Sequence, residues 1–359
     1  MKKIGIVTFH QALNYGAKLQ AYALQQFLEK NGIENDVIDY TCHFMYTRNI
    51  RPIRVGKHHK LKSFIRSLIT MRQVGIDRKK SVTFRNEFLN LSRPFDAKNI
   101  GEASNEYAAF IAGSDQVWSP ICVGFDTVYL LDFAKPKQKY SYAASFAVDK
   151  LPADKEHTYK ELLSQFQLFS VREKSALNIV KKITGKNGVC HIDPTLLLNK
   201  DEWQKISVKK IDKPYILVFN VKPVKSLIDF AEKLSKKTGI PVVYITDNPQ
   251  KKRKNFTYVS APTVEEFLGY FANADYTVTN SFHGTAFSVI FHKNMFVEYE
   301  TAKGFNHRAK NLLQTIGINR EIKDGEAVTT DIDWNKVDNI LQAERKLSLD
   351  YLKDIIKGE

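Results

Sequence analysis

Short apolar runs, each ending in small or polar residues and alternating with stretches of helical periodicity, set the fold class of this chain. Residues 3–9 (KIGIVTF) form a continuous apolar run, as in a strand buried on both faces. A polar loop, residues 10–16, comes next. Residues 17–30 then carry Leu19, Tyr22, Ala23, Leu24, Phe27 and Leu28 at helical spacing, closed by Asn31-Gly32. Residues 36–40 (DVIDY) read as the second strand, so the chain opens as a doubly wound α/β unit. Residues 107–112, 139–147, 169–173, 215–220, 241–246 and 276–279 continue the strand series. Helices are predicted from about residue 174, over 224–237 and 308–316, and over 263–273, where Thr263 and Glu266 make a capping box.

A chain of 359 residues favours two domains. Asp193-Pro194-Thr195 marks a change of direction, which places the first domain at 1–198 and the second at 199–330. Residues 331–359 are expected to form a long amphipathic helix returning to the first domain, with Val337, Ile340, Leu341, Leu347, Leu349, Leu352 and Ile355 on its apolar face. Between the second and third strands, residues 48–93 are crowded with arginine and lysine and read as a basic helical insertion. Such a surface suits peripheral contact with an anionic membrane, or else is a solvated excursion with a few core anchors.

The net charge of +15 calls for an acidic partner. Nucleic acid is not favoured, because neither aromatic RNA-binding motifs nor a helix-turn-helix occurs. Cys42, Cys122 and Cys190 are odd in number and widely spaced, which argues against a disulfide framework and for a reducing compartment. Cys42-His43 and Cys190-His191 lack the ligand spacing of a zinc site, so no metal is expected. The N-terminal apolar run is too short for a signal peptide, and no stretch approaches the ~20 apolar residues of a membrane span. The expected location is cytoplasmic, with peripheral attachment at the inner face of the plasma membrane.

In open α/β sheets ligands bind beyond the carboxyl ends of the strands, which singles out the residues there. The segment DYTVTNSFHGTAFSVIFHKNMF (275–296) reads as strand, polar corner and buried helix over 285–291, with Asn280, Ser281, His283 and Gly284 in the corner. His283 would lie beside helix-start N–H groups that suit an anion, and Gly284 would let the chain turn sharply and a ligand approach. Ser114, Asp115 and Gln116 end the third strand and should face the same crevice. Arg172 ends another strand, where a guanidinium makes a good anion ligand. Asn14 and Gly16 form a corner that is not GxGxxG, so a dinucleotide fingerprint is absent.

These stretches together resemble the polysaccharide pyruvyl transferase family. The likeness is carried by KIGIVTFHQALNYGAKLQAYAL at the start, IAGSDQVW (111–118), SYAASFA (141–147) and SVRE (170–173). It continues through DPTLLL (193–198), TNSFHGTAFSVIF (279–291) and RKLSLDYL (345–352). The resemblance implies a GT-B-like fold of two Rossmann-type domains facing a cleft. It also implies transfer of a pyruvyl group from phosphoenolpyruvate to two sugar hydroxyls, leaving a ketal, with no further cofactor. The family motif is similar to Ser/Thr-Arg-Leu-His-Gly. Here His283-Gly284 is kept while Ser281 and Phe282 stand at the arginine and leucine positions, so Arg308 or Lys303 would supply the missing cation.

On this reading His283 is the general acid or base, and Asp115 orients the acceptor or takes its proton. Arg172 and Arg308 hold the donor's anions, and Asn14 and Gln116 donate hydrogen bonds. The acceptor would be a sugar of a cell-surface polysaccharide or its lipid-linked precursor. Two other readings are a glycosyltransferase of the same architecture using a nucleotide sugar, and a non-catalytic polyanion- or glycan-binding protein.

Overall fold

The computed structural model describes residues 3–44, 75–122, 124–221, 224–246, 252–299, 307–323, 325–327 and 331–358. They form two compact units, residues 1–190 with 355–359 and residues 191–354.

In the first unit, β1 (Ile4–Val7) lies between β2 (Asn35–Val37) and β3 (Ala109–Ala112), and β4 (Lys139–Ser141) pairs with β3, all parallel. Parallel bridges from Tyr140 to Leu168 and from Ala144 to Val171 extend the pairing to β5 (Ser170–Val171), which pairs with β6 (Val189–Cys190). Helix α1 (Tyr15–Lys30) makes the first crossover, as its periodicity demands. The strand expected over 139–147 is shorter because Ala143 and Ala147 have φ of 45° and 56°, outside regular strand geometry.

Most of the basic insertion, residues 48–74, lies outside the described residues. Its last part, residues 75–88, is a helix, α2, that buries Ser81 and Phe84. Phe84 and Phe88 meet Tyr22 of α1 with ring centroids 6.2 Å apart, so these described turns are anchored to the core. Helices α3 (Ala153–Leu163) and α4 (Lys174–Thr184) complete the unit.

The second unit is a five-stranded parallel sheet in the order β11-β10-β7-β8-β9. Its strands are β7 (Ile216–Phe219), β8 (Val242–Ile245), β9 (Phe256–Val259), β10 (Tyr276–Thr279) and β11 (Asn294–Val297). The apolar runs missed β9 and β11: β9 is a partly exposed edge strand, and β11 begins three residues after the preceding helical run. Helix α5 (Lys225–Thr238) covers one face through Leu227 and Phe230, against Ile216, Val218, Val278 and Phe296. Helices α6 (Val264–Asn273) and α7 (Phe282–Ile290) lie on the other, where Phe219 meets Phe267 and Phe271. Both halves are therefore parallel α/β units of Rossmann type. Helices α8 (His307–Thr315) and α9 (Trp334–Lys357) follow.

Two boundaries differ from the sequence reading. The units divide at 190/191 rather than 198/199, because the Asp193–Leu198 turn packs on the second unit. Trp203 Nε1 donates to Thr195 O at 3.0 Å, and Arg345 Nε of α9 donates to Leu196 O at 2.8 Å. Most of α9 accordingly belongs to the second unit, and only residues 355–359 group with the first. On α9 the buried positions are Val337, Leu341, Ser348, Leu352 and Ile355, while Leu347 is exposed. Among the described residues no helix is long and apolar enough to cross a membrane.

Burial holds the His191 imidazole down to about 4, beneath the Tyr351 ring 4.9 Å away. An unfolded histidine titrates near ~6.5, so between those values the unfolded chain binds a proton that the folded chain does not. Stability is therefore expected to fall as pH drops from about 6.5 to about 4, by on the order of 3 kcal/mol from this residue alone. Urea midpoints across that range should show a shallower fall for His191→Gln; an unchanged slope would contradict the assignment.

Candidate functional site

At the first sheet's carboxyl edge, Gln20 of α1 ties the ends of β1 and β3. Its Nε2 donates to Thr8 Oγ1 at 2.8 Å, and its Oε1 accepts from Ser114 N at 3.0 Å. Ser114 is fully buried and its hydroxyl donates to Ala143 O at 2.8 Å, which makes it a strut between strand ends. Asp115 follows at φ 74°, and that left-handed turn carries its carboxylate to Arg172, with Nη2 to Oδ1 at 3.3 Å. The Arg172 side chain is 2% exposed and that of Asp115 13%. Gln116 is engaged by the Cys122 thiol at 3.1 Å. Asn14 is exposed and caps α1, its side chain accepting from Gly16 N at 2.7 Å, so this corner is a helix start.

Glu173 was not singled out by sequence reasoning, although it stands beside Arg172. It is 6% exposed, and its Oε1 accepts from Ser145 Oγ at 2.8 Å. A second cluster gathers around His10, whose ring lies between Thr8 O at 3.2 Å and Asp39 Oδ1 at 2.9 Å. Gln11 Nε2 donates to the same carboxylate oxygen, and Arg85 stands 3.7 Å from it. Burial opposes ionisation of Asp39, but the bonds and charge of His10, with Gln11 and Arg85, outweigh it and hold the carboxyl below its ordinary range.

In the second unit the polar corner is the start of a helix. Ser281 is the N-cap of α7, its Oγ accepting from Gly284 N at 3.2 Å, so His283 and Gly284 belong to the first turn. Gly284 is therefore not a sharp turn. A Cβ there would lie 2.3 Å from Thr279 Oγ1 and 3.3 Å from the Phe219 ring, so glycine permits α7 to sit directly on the sheet. Thr279 Oγ1 in turn donates to Phe219 O at 2.5 Å, and Asn280 Oδ1 accepts from Val221 N at 3.1 Å. These bonds join β7 to β10, between which the strand order reverses, and such a place is where doubly wound sheets take ligands.

His283 is buried in this turn, with Nε2 3.8 Å from Asp193 Oδ2. Asp193, 1% exposed, uses its other oxygen to accept from Thr195 N at 3.0 Å and Thr195 Oγ1 at 2.8 Å. Its carboxylate is thus fixed with one oxygen towards the histidine. In sequence Asp193-Pro194 reads as a change of direction; the Asp-Pro-Thr cap is visible there, but its partner ninety residues on is not. The Arg308 guanidinium lies over the Phe282 ring, 5.6 Å from its centroid, which puts a cation beside the first turn of α7. Lys303 lies outside the described residues.

The family model for polysaccharide pyruvyl transferases matches residues 14–298. No curated protein matches the chain. Among solved structures, UDP-GlcNAc 2-epimerase from Neisseria meningitidis bound to UDP-GlcNAc is 12% identical, with a TM-score of 0.49, covering 100% of this chain and 94% of that one. MurG from Acinetobacter baumannii is 11% identical, with a TM-score of 0.42, covering 99% of this chain and 100% of that one.

Gly284→Ala should lower stability by about 1–3 kcal/mol, the usual cost of forcing a methyl group into a filled contact. A denaturant midpoint equal to wild type would show that α7 does not depend on this approach.

Proposed function

Because the chain belongs to the polysaccharide pyruvyl transferase family, we propose that it transfers a pyruvyl group from phosphoenolpyruvate to two hydroxyls of a sugar, forming a ketal. The acceptor on this reading is a sugar of a cell-surface polysaccharide or its lipid-linked precursor. The observation that carries the reading is His283, seated in the first turn of α7 opposite a fixed Asp193 carboxylate.

The reaction protonates the donor's methylene carbon to a methyl group, forms two C–O bonds from sugar hydroxyls and breaks the C–O bond to phosphate. One hydroxyl proton ends on the methyl carbon and the other on the released phosphate. A histidine can both deliver and accept protons at neutral pH. Asp193, 3.8 Å away, is too far to hydrogen-bond the ring but stabilises the positive charge that appears when it takes a proton. Arg308 supplies the cation absent from position 281, and the N–H groups of the α7 start add a second attraction for an anion. Arg172, steadied by Asp115, is assigned to an anionic group of donor or acceptor.

His283→Ala is expected to fold normally and to lose about 100-fold or more in turnover, the range general acid–base catalysis supplies. Asp193→Asn should lower turnover less and leave donor binding in place. Phosphate release from phosphoenolpyruvate with acceptor present reads both, and near-wild-type release by His283→Ala would sink the assignment.

A further inference from the structure

Arg320 lies past α8, next to Glu321, which bridges in parallel register to Val297 at the carboxyl end of β11. Its own carbonyl accepts from Val297 N at 2.8 Å. Only 4% of the residue is exposed. Its guanidinium stands 5.8 Å from the centroid of the Phe296 ring. Among the described residues its buried Nε has no hydrogen-bond partner, and no carboxylate comes within ion-pairing distance. Asp331 attracts it only from farther off, and burial works against its charge.

Other buried or half-buried cations have hydrogen-bond partners. Lys139 Nζ donates to Gln165 Oε1 at 2.7 Å, Arg172 meets Asp115, and Arg345 reaches two carbonyls. A guanidinium cannot shed its proton, and a buried charge without a counter-charge is strongly unfavourable. Among the described residues Arg320 is thus a cation whose buried Nε is left without a partner.

We propose that Arg320 is the seat of an anion-binding site at the β11 edge of the second sheet, taking a phosphate group of a phosphorylated ligand. The planar donor fork of arginine matches phosphate oxygens, and the carboxyl edge of a parallel sheet is where such ligands bind. The net charge of +15 draws polyanions to the molecule as a whole. The seat is separate from His283. Phe296 packs with Phe230 of α5, whereas α7 packs on the opposite face, where Thr277 meets Ser288 and Gly284 meets Thr279. The site needs neither a pyruvyl donor nor turnover.

Thermal unfolding at constant ionic strength, with chloride exchanged for inorganic phosphate or pyrophosphate, tests this without any reaction. Wild type should gain about 3 °C or more once the anion is roughly a hundredfold above its Kd. Arg320→Met should lose most of the response, any remainder belonging to the Arg308 site and vanishing in Arg308→Ala, and without anion should melt no lower than wild type. Arg320→Lys should keep part of the response, and His283→Ala all of it. Pyrophosphate acting more strongly than phosphate would identify a diphosphate ligand; equal effects would identify a single phosphate group. Three results overturn the proposal: an unresponsive wild type, an undiminished response in Arg320→Met, or Arg320→Met melting several degrees below wild type without anion. The last would mean that the chain itself satisfies the guanidinium.

Discussion

In both units the paired strands of the main sheets run parallel, so every β-to-α connection leaves its sheet at the same edge. That constraint dictates much else. Strands covered on both faces must be apolar throughout, which confines polar residues to the strand ends. The same ends receive the first turns of the helices, with their unpaired N–H groups. Polar side chains and backbone donors are thereby gathered where a ligand can reach them.

The second unit uses that edge most economically. Glycine at 284 brings α7 onto Thr279, and the Thr279 hydroxyl also bonds the end of β7. The start of α7 is therefore locked to two strands at once, and His283 has little freedom to move away from Asp193. A side chain held this way needs little reorganisation when charge develops on it. Arg308 reaches the same turn from α8 by stacking on Phe282, so the residue that departs from the family's leucine is also the platform for the cation.

Much of the fold was legible from spacing alone. The central strands, the capping box at Thr263 and the helix closed by Asn31-Gly32 all follow from local chemistry, and that helix begins at Tyr15, two residues before the expected start at Ala17. The edge strands β9 and β11 were not legible, because β9 is partly exposed and β11 follows closely on the apolar run of α7. Leu347 shows the limit of reading helical faces: a leucine one position off the stripe is exposed while Ser348 is buried, its hydroxyl satisfied by Glu344 O at 2.8 Å. Of the candidate site, strand-end residues were found because topology puts them there. Their individual tasks were not: Ser114 and Asn280 brace strands, Asn14 caps a helix, and Asp193 faces His283 from a distant part of the chain. Such pairings depend on tertiary contact, which no local pattern encodes.

The donor is the point on which the account turns, since Ser281 stands where the family motif carries an arginine. Thermal stabilisation of the full-length Arg320→Met variant, in which the second anion seat is removed, by phosphoenolpyruvate, beside UDP, GDP and nucleotide sugars at equal ionic strength, addresses it directly. Phosphoenolpyruvate is expected to raise the melting temperature, the rise being lost when Arg308→Ala is added, with no comparable rise from the nucleotides. A rise with a nucleotide diphosphate or nucleotide sugar alone would contradict the pyruvyl donor and identify a glycosyl donor instead.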